Sequence, residues 1–239
     1  MSRETQNLIL AFLGIAVLKT TLDGTFVRYV KPGLGPYLIV SAVIVLALAA
    51  IAIVSDIRAG GTHEHDDGHA HSHRMPWLLL APALVVLFLT PPALGPGSFV
   101  QRQAEPPSSA AGGRAFPPLP AEGTPELTMI DVLQRARSDT AGTLDDREIA
   151  VRGYAMPRAD GGVDLARILI ICCAADARTT RLHLVGPNTQ PMRGANADQW
   201  WIVRGVVVPG TATEDDRWTP DFRVTAVEPT AAPSNTYSY

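Results

Sequence analysis

The stretch LGPYLIVSAVIVLALAAIAIVS, residues 34–55, runs for 22 residues without a charged side chain. At about 1.5 Å per residue, a helix of that length covers roughly 30 Å of hydrocarbon. This stretch predicts a transmembrane helix. A second uncharged stretch, WLLLAPALVVLFLTPPALG at 77–95, predicts another span, with Pro82, Pro91 and Pro92 tolerated inside a membrane helix or marking its end. A third segment, NLILAFLGIAVLKTTL at 7–22, has a strictly apolar part from Leu8 to Leu18 that Lys19 can lengthen by snorkelling. A secretory signal peptide is the rival for this segment, but Glu4 offsets Arg3 and no small-x-small cleavage site follows. The expectation is an integral membrane protein with about three spans.

Residues 1–99 are therefore read as a membrane region, interrupted by a polar loop at 60–74. Residues 100–123, rich in Pro, Ala, Gly and Ser, are too poor in apolar surface to fold alone and read as a tether. At 124–138, Thr124 as N-cap, Pro125 at the first helical position and the spacing of Leu127, Ile130, Val132 and Leu133 predict an amphipathic helix. Five β-rich runs follow, at 147–156, 163–173, 181–186, 199–210 and 222–229, separated by turn signals. They predict an all-β, OB-like small barrel preceded by a helix, so that 124–230 forms a β domain and 231–239 a disordered tail.

The polar loop carries the densest chemistry. THEHDDGHAHSH, residues 62–73, holds His63, His65, His69, His71 and His73, five of the chain's six histidines. Neutral imidazole suits zinc, copper, nickel and iron, and Gly60, Gly61 and Gly68 let the rings converge. Glu64, Asp66 and Asp67 add oxygen donors. No fixed Cys-x-x-Cys spacing is present, so the expected site is adaptable, for capturing Zn2+ or another divalent transition metal. The bland alternative is a hydrophilic connection between two membrane helices.

Two further cysteines, Cys172 and Cys173, fall at the end of a predicted strand, where successive side chains point to opposite faces. That placement argues against their sharing one ion and leaves one buried and the other partly exposed. If AADARTT turns the chain into RLHLVG, Cys173, Asp176 and His183 approach one another across the hairpin and form a possible second site. Trp200 and Trp201 read as core and surface aromatics of one strand.

Several classes are excluded or disfavoured. Residues 101–239 contain 14 Arg and no Lys against 17 acids, which gives −3 and no basic surface for nucleic acid. A phosphate-binding Gly-rich loop, a Gly-x-Ser-x-Gly elbow and a His-Glu-x-x-His element are all missing from the sequence, so an enzyme is not indicated.

The order of apolar segments, histidine-rich loop, tether and β domain, with RILIICCAADA followed by DQWWIVRGVV, resembles the YcgQ-like family of bacterial permease subunits. The resemblance runs from about residue 6 to 229 and is most specific at Cys173-Ala174-Ala175-Asp176 and from Trp200 to Gly205. It implies a small accessory subunit in the bilayer, beside a larger multi-spanning permease and connected with zinc homeostasis. It also marks Cys173 and Asp176 as functional candidates. The histidine loop departs from the cysteine-bearing loops of such proteins, having no Cys of its own.

The implied location is a bacterial cell membrane with several passes. Basic residues favour the β domain inside by a narrow count, whereas its Lys-free, Pro- and Thr-rich composition favours the extracytoplasmic side, the orientation expected here. The competing functional classes are a membrane-tethered β-barrel binding module for a protein or envelope ligand, with no transport role, and a thiol redox protein built on Cys173.

Overall fold

The computed structural model describes residues 3–58, 84–85, 93–95, 115–196 and 198–239. The chain divides into two units, Met1–Ala93 and Leu94–Tyr239.

In the first unit, α1 spans Arg3–Leu22 and α2 spans Gly35–Arg58, joined through short 310 turns at Thr25–Arg28 and Pro32–Leu34. The break after α1 comes at Gly24, whose φ of 72° lies in the left-handed region that glycine adopts without strain. The two helices meet through small residues. A Cβ on Gly14 would fall 2.7 Å from Leu46 Cγ, and Ala16, Ala42 and Ala49 are buried between the helices. Small residues at the contact let the two helix backbones approach closely. Asn7 Nδ2 donates to Asp56 Oδ2 at 2.8 Å, adding a polar clasp between α1 and α2. The remaining faces expose Leu13, Ile15, Val40, Ile44 and Ile51.

These helices correct the expectation of three spans. Among the described residues, one helix is long and apolar enough to cross a membrane, the 27-residue stretch Pro32–Arg58 with mean hydropathy 3.0. The apolar part of α1, Gln6–Leu22, is shorter. At about 1.5 Å per residue it falls short of the roughly 30 Å of hydrocarbon that a span must cross. Apart from 84–85 and 93–95, the expected span at 77–95 lies outside the described residues, as does the whole of loop 60–74.

The second unit corrects the expectation of an OB-like, all-β barrel of five strands: it is built on a seven-stranded mixed sheet, five strands of which close into a ring. Its strands are β1 (Glu126–Leu127), β2 (Ile149–Pro157), β3 (Val163–Leu169), β4 (Arg178–Val185), β5 (Trp200–Val207), β6 (Asp221–Thr230) and β7 (Tyr237–Ser238). Their order is β1-β2-β5-β6-β4-β3-β7, with β2 also pairing β3. Three pairings are parallel, β1 with β2, β4 with β6 and β3 with β7. β-rich composition between turn signals locates the five longer strands to within a few residues, but two-residue strands and pairings between distant segments leave no such trace.

Helix α3, Met129–Ser138, begins at Thr128, whose Oγ1 accepts the Asp131 N–H at 3.2 Å. The expected cap at Thr124 is displaced because 126–127 joins the sheet as β1. Met129, Val132 and Leu133 of α3 are buried with Ile149, Val151, Leu165, Leu182, Val203 and Phe222 in the core. Both Trp200 and Trp201 are buried. Trp201 joins the core, and Trp200 meets Tyr154 edge-on at 5.9 Å between ring centroids.

At Gly205 the β5–β6 register shifts, and a Cβ there would fall on the carbonyl oxygen of Arg223. Only glycine lets the two backbones approach this closely.

Two segments expected to lack structure are held down. Arg147 donates to the carbonyls of Pro120, Ala121 and Gly123, tying the described end of the expected tether to the unit. The expected disordered tail supplies β7, where buried Tyr237 pairs with Ile168 and Arg167 donates to the carbonyls of Asn235 and Tyr237. One aromatic residue at 2% exposure gives the tail enough apolar burial to dock.

Candidate metal centre

The connection from β3 to β4 is short, 170–177, and holds both cysteines. Ile170 is still part of the sheet edge, donating its N–H to Ser238 at 3.0 Å. Beyond it the chain turns out. Ile171 is 59% exposed, and among the described residues it is the one large apolar side chain of the second unit left exposed.

Asp176 organises the turn. Its Oδ1 accepts the Ile171 N–H at 2.8 Å, and its Oδ2 accepts the N–H groups of Cys172 at 2.8 Å and Cys173 at 3.2 Å. Cys173 is also the N-cap of a 310 turn, Ala174–Asp176. Its sulfur accepts the Asp176 N–H while the Asp176 carboxylate accepts its own, a reciprocal capping box. One carboxylate thereby replaces the strand ladder for three consecutive residues.

This geometry overturns the expectation that the adjacent cysteines point apart. β3 ends at Leu169, so the alternation of a strand no longer applies at 172 and 173. Their sulfurs lie 3.7 Å apart, and both thiols are free. A disulfide needs about 2.05 Å. Two sulfurs each about 2.3 Å from one tetrahedral zinc are separated by about 3.8 Å, the edge of the coordination tetrahedron. The two Sγ atoms and an Asp176 oxygen all lie within 4.8 Å of one another.

The electrostatics follow from the same contacts. Partial burial works against ionisation of Asp176, but the Cys172 thiol and the backbone N–H groups of 171, 172 and 173 outweigh it and hold the carboxyl down at about 2. Conversely, hydrogen bonding to the Asp176 carboxylate and to the Cys173 sulfur pushes the Cys172 thiol up to about 11. The Cys172 thiol therefore keeps its proton at neutral pH, and metal ligation by this sulfur requires its loss.

His183 lies elsewhere. It sits on β4 opposite Asp164 of β3, while the cysteine loop joins the other end of this hairpin, where Leu169 faces Arg178. His183 Nδ1 is 2.8 Å from Asp164 Oδ1, and Arg158 Nη1 is 3.8 Å from the same oxygen. The structure brings Cys173 and Asp176 together as expected, adds Cys172, and places His183 with Asp164 and Arg158. His63, Glu64, His65, Asp66, Asp67, His69, His71 and His73 fall outside the described residues. The sequence signal for Cys172 was indirect: Asp176 stands three residues after Cys173, the spacing of a capping box that ends a strand.

The chain thus pairs an apolar helical hairpin with a β domain whose surface loop presents two thiols and a carboxylate. Residues 5–103 match the DUF1980 N-terminal domain and residues 134–239 the DUF1980 C-terminal domain, so the chain carries both domains of the DUF1980 family. No curated protein matches it. A solved structure described as an aspartyl-tRNA synthetase from Leishmania major Friedlin is similar over 51% of this chain at 10% identity and a TM-score of 0.28. The chain spans about a quarter of that structure's length, 24%.

Proposed function

We propose that this protein is a membrane-attached accessory subunit of a larger multi-spanning permease, and that it captures divalent transition metal, zinc above all, on the Cys172–Cys173–Asp176 loop. The carrying observation is the 3.7 Å separation of the two sulfurs beside an ionised carboxylate, the spacing of two donors on one tetrahedral ion. Attachment to the bilayer rests on Pro32–Arg58. The permease partner rests on the resemblance to the YcgQ-like family. The histidines of 60–74 are a second, looser capture tract on this reading, chosen for imidazole's affinity for the same ions.

The test is a zinc titration by calorimetry on the intact chain in detergent, under reducing conditions. Three proteins are compared: wild type, a variant with the five loop histidines replaced by Ser, and Cys172→Ser/Cys173→Ser. One micromolar or tighter site that survives the histidine changes and is lost in the cysteine variant is the expected result. Binding indifferent to the cysteines would refute the assignment. For the subunit role, purification from native membranes should recover a multi-spanning protein with this chain. A chain that purifies alone favours the tethered binding module instead.

A further inference from the structure

The donor count on the cysteine loop bears on what the site does with an ion. Cys172 and Cys173 give two sulfurs. Asp176 has about four acceptor positions on its two oxygens, and backbone N–H groups fill three of them, so it offers a metal one more and no bidentate grip. Among the described residues, no other His, Cys, Asp or Glu joins this group. His183 is at the far end of the hairpin, beside Asp164.

Zinc-like ions prefer four ligands, and sites with three protein donors keep the fourth position for an exchangeable one. The loop is open on that side, with Cys172 and Ile171 both exposed. Charge selects the chemistry of the fourth donor. Two thiolates and a carboxylate on a divalent ion already sum to a net −1, so a third thiolate would add charge, whereas a neutral donor adds none.

Resting on the metal reading above, we infer that the Cys172–Cys173–Asp176 site is an exchange site. It holds a divalent ion by three protein ligands and admits a neutral imidazole from an acceptor molecule at the fourth position, the step by which the ion is passed on. A storage or structural site would be closed by four protein donors and would give up its ion slowly.

Cobalt(II) loaded in place of zinc on the intact, reduced chain tests this, because its thiolate charge-transfer bands report sulfur ligation and its visible d–d bands report the whole tetrahedron. Free imidazole is then titrated in. The expected result is a thiolate band together with a saturable, one-to-one shift of the d–d bands, the same in wild type and in the variant lacking the five loop histidines. Charge-transfer bands with d–d bands that imidazole leaves unmoved would show a closed site and overturn the exchange inference while the metal reading stands. A shift seen only after the loop histidines are replaced would show the chain's own imidazoles filling the position, which also overturns it. Absence of thiolate bands in the loaded wild type would remove the metal reading itself.

Discussion

Replacing Asp176 by Ala takes away the acceptor of three backbone N–H groups at once, those of Ile171, Cys172 and Cys173. Hydrogen bonds to a charged group contribute about 1.5–3 kcal/mol each when well buried. Asp176 is partly exposed, so water screens it and can rescue some of the donors. About 1 kcal/mol per bond is the appropriate scale, which gives about 2–3 kcal/mol for Asp176→Ala. For a unit of this size the melting temperature should fall by about 6–10 °C. Asp176→Asn keeps one carbonyl oxygen for two of the donors and should fall about half as far.

The pH dependence gives a second reading of the same interaction. The folded-state pKa of Asp176 is depressed to about 2 from its ordinary value, so the carboxylate's contribution is present above that ordinary value and lost as pH falls toward 2. The gap between wild type and Asp176→Ala should be full at pH 7 and close between about pH 4 and pH 2. The assay is thermal melting of the metal-free chain, followed by near-ultraviolet circular dichroism of the tryptophans. A variant melting within about 1 °C of wild type at pH 7, or a gap that persists unchanged to pH 2, would refute the view that Asp176 builds this loop.

Two further outcomes follow from the β domain. Tyr154 is buried at 5% exposure, and loss of hydration pushes its phenol up to about 12, a shift that the charge of Arg181 only partly opposes. A raised pKa stabilises the fold below the ordinary phenol value and is lost as pH climbs through 12, so Tyr154→Phe should extend the alkaline limit of folding. Absorbance of tyrosinate followed together with circular dichroism checks this. Gly205→Ala should cost on the order of 2–4 kcal/mol, since the new methyl meets the Arg223 carbonyl in the β5–β6 register shift and neither backbone can retreat. A melting curve unchanged from wild type would contradict that close approach.

The long strands were legible as β-rich runs between turn signals, with period-2 alternation visible in EIAVRGY before β2's end and in WIVRGVV of β5. β1 and β7 were not, because two residues carry no period and their partners lie far along the chain. Tyr237 in particular reads as tail until Ile168 is seen beside it. In the candidate site, Cys173 and Asp176 were named from the expected hairpin and the family resemblance, but both cysteines were assigned to a continuing strand and His183 to the wrong end of the hairpin. Both misplacements have one cause. The apolar run RILIICC extends past the true strand end, and hydrophobicity alone does not report that Asp176 has taken over the backbone N–H groups after Ile170. Counting spans by apolar length failed at α1 for a similar reason, since helix and span have different minimum lengths.

The loop at 170–177 also has a consequence for how such a site travels. All three donors fall within five consecutive residues, and the turn that aims them is fastened by one of those donors, Asp176, rather than by side chains from elsewhere in the fold. The rest of the sheet supplies little more than two antiparallel strand ends at the right separation. Such a cassette is portable: ICCAAD set between the strands of an unrelated hairpin should rebuild the same cluster, and a single substitution at Asp176 erases it without touching a sulfur.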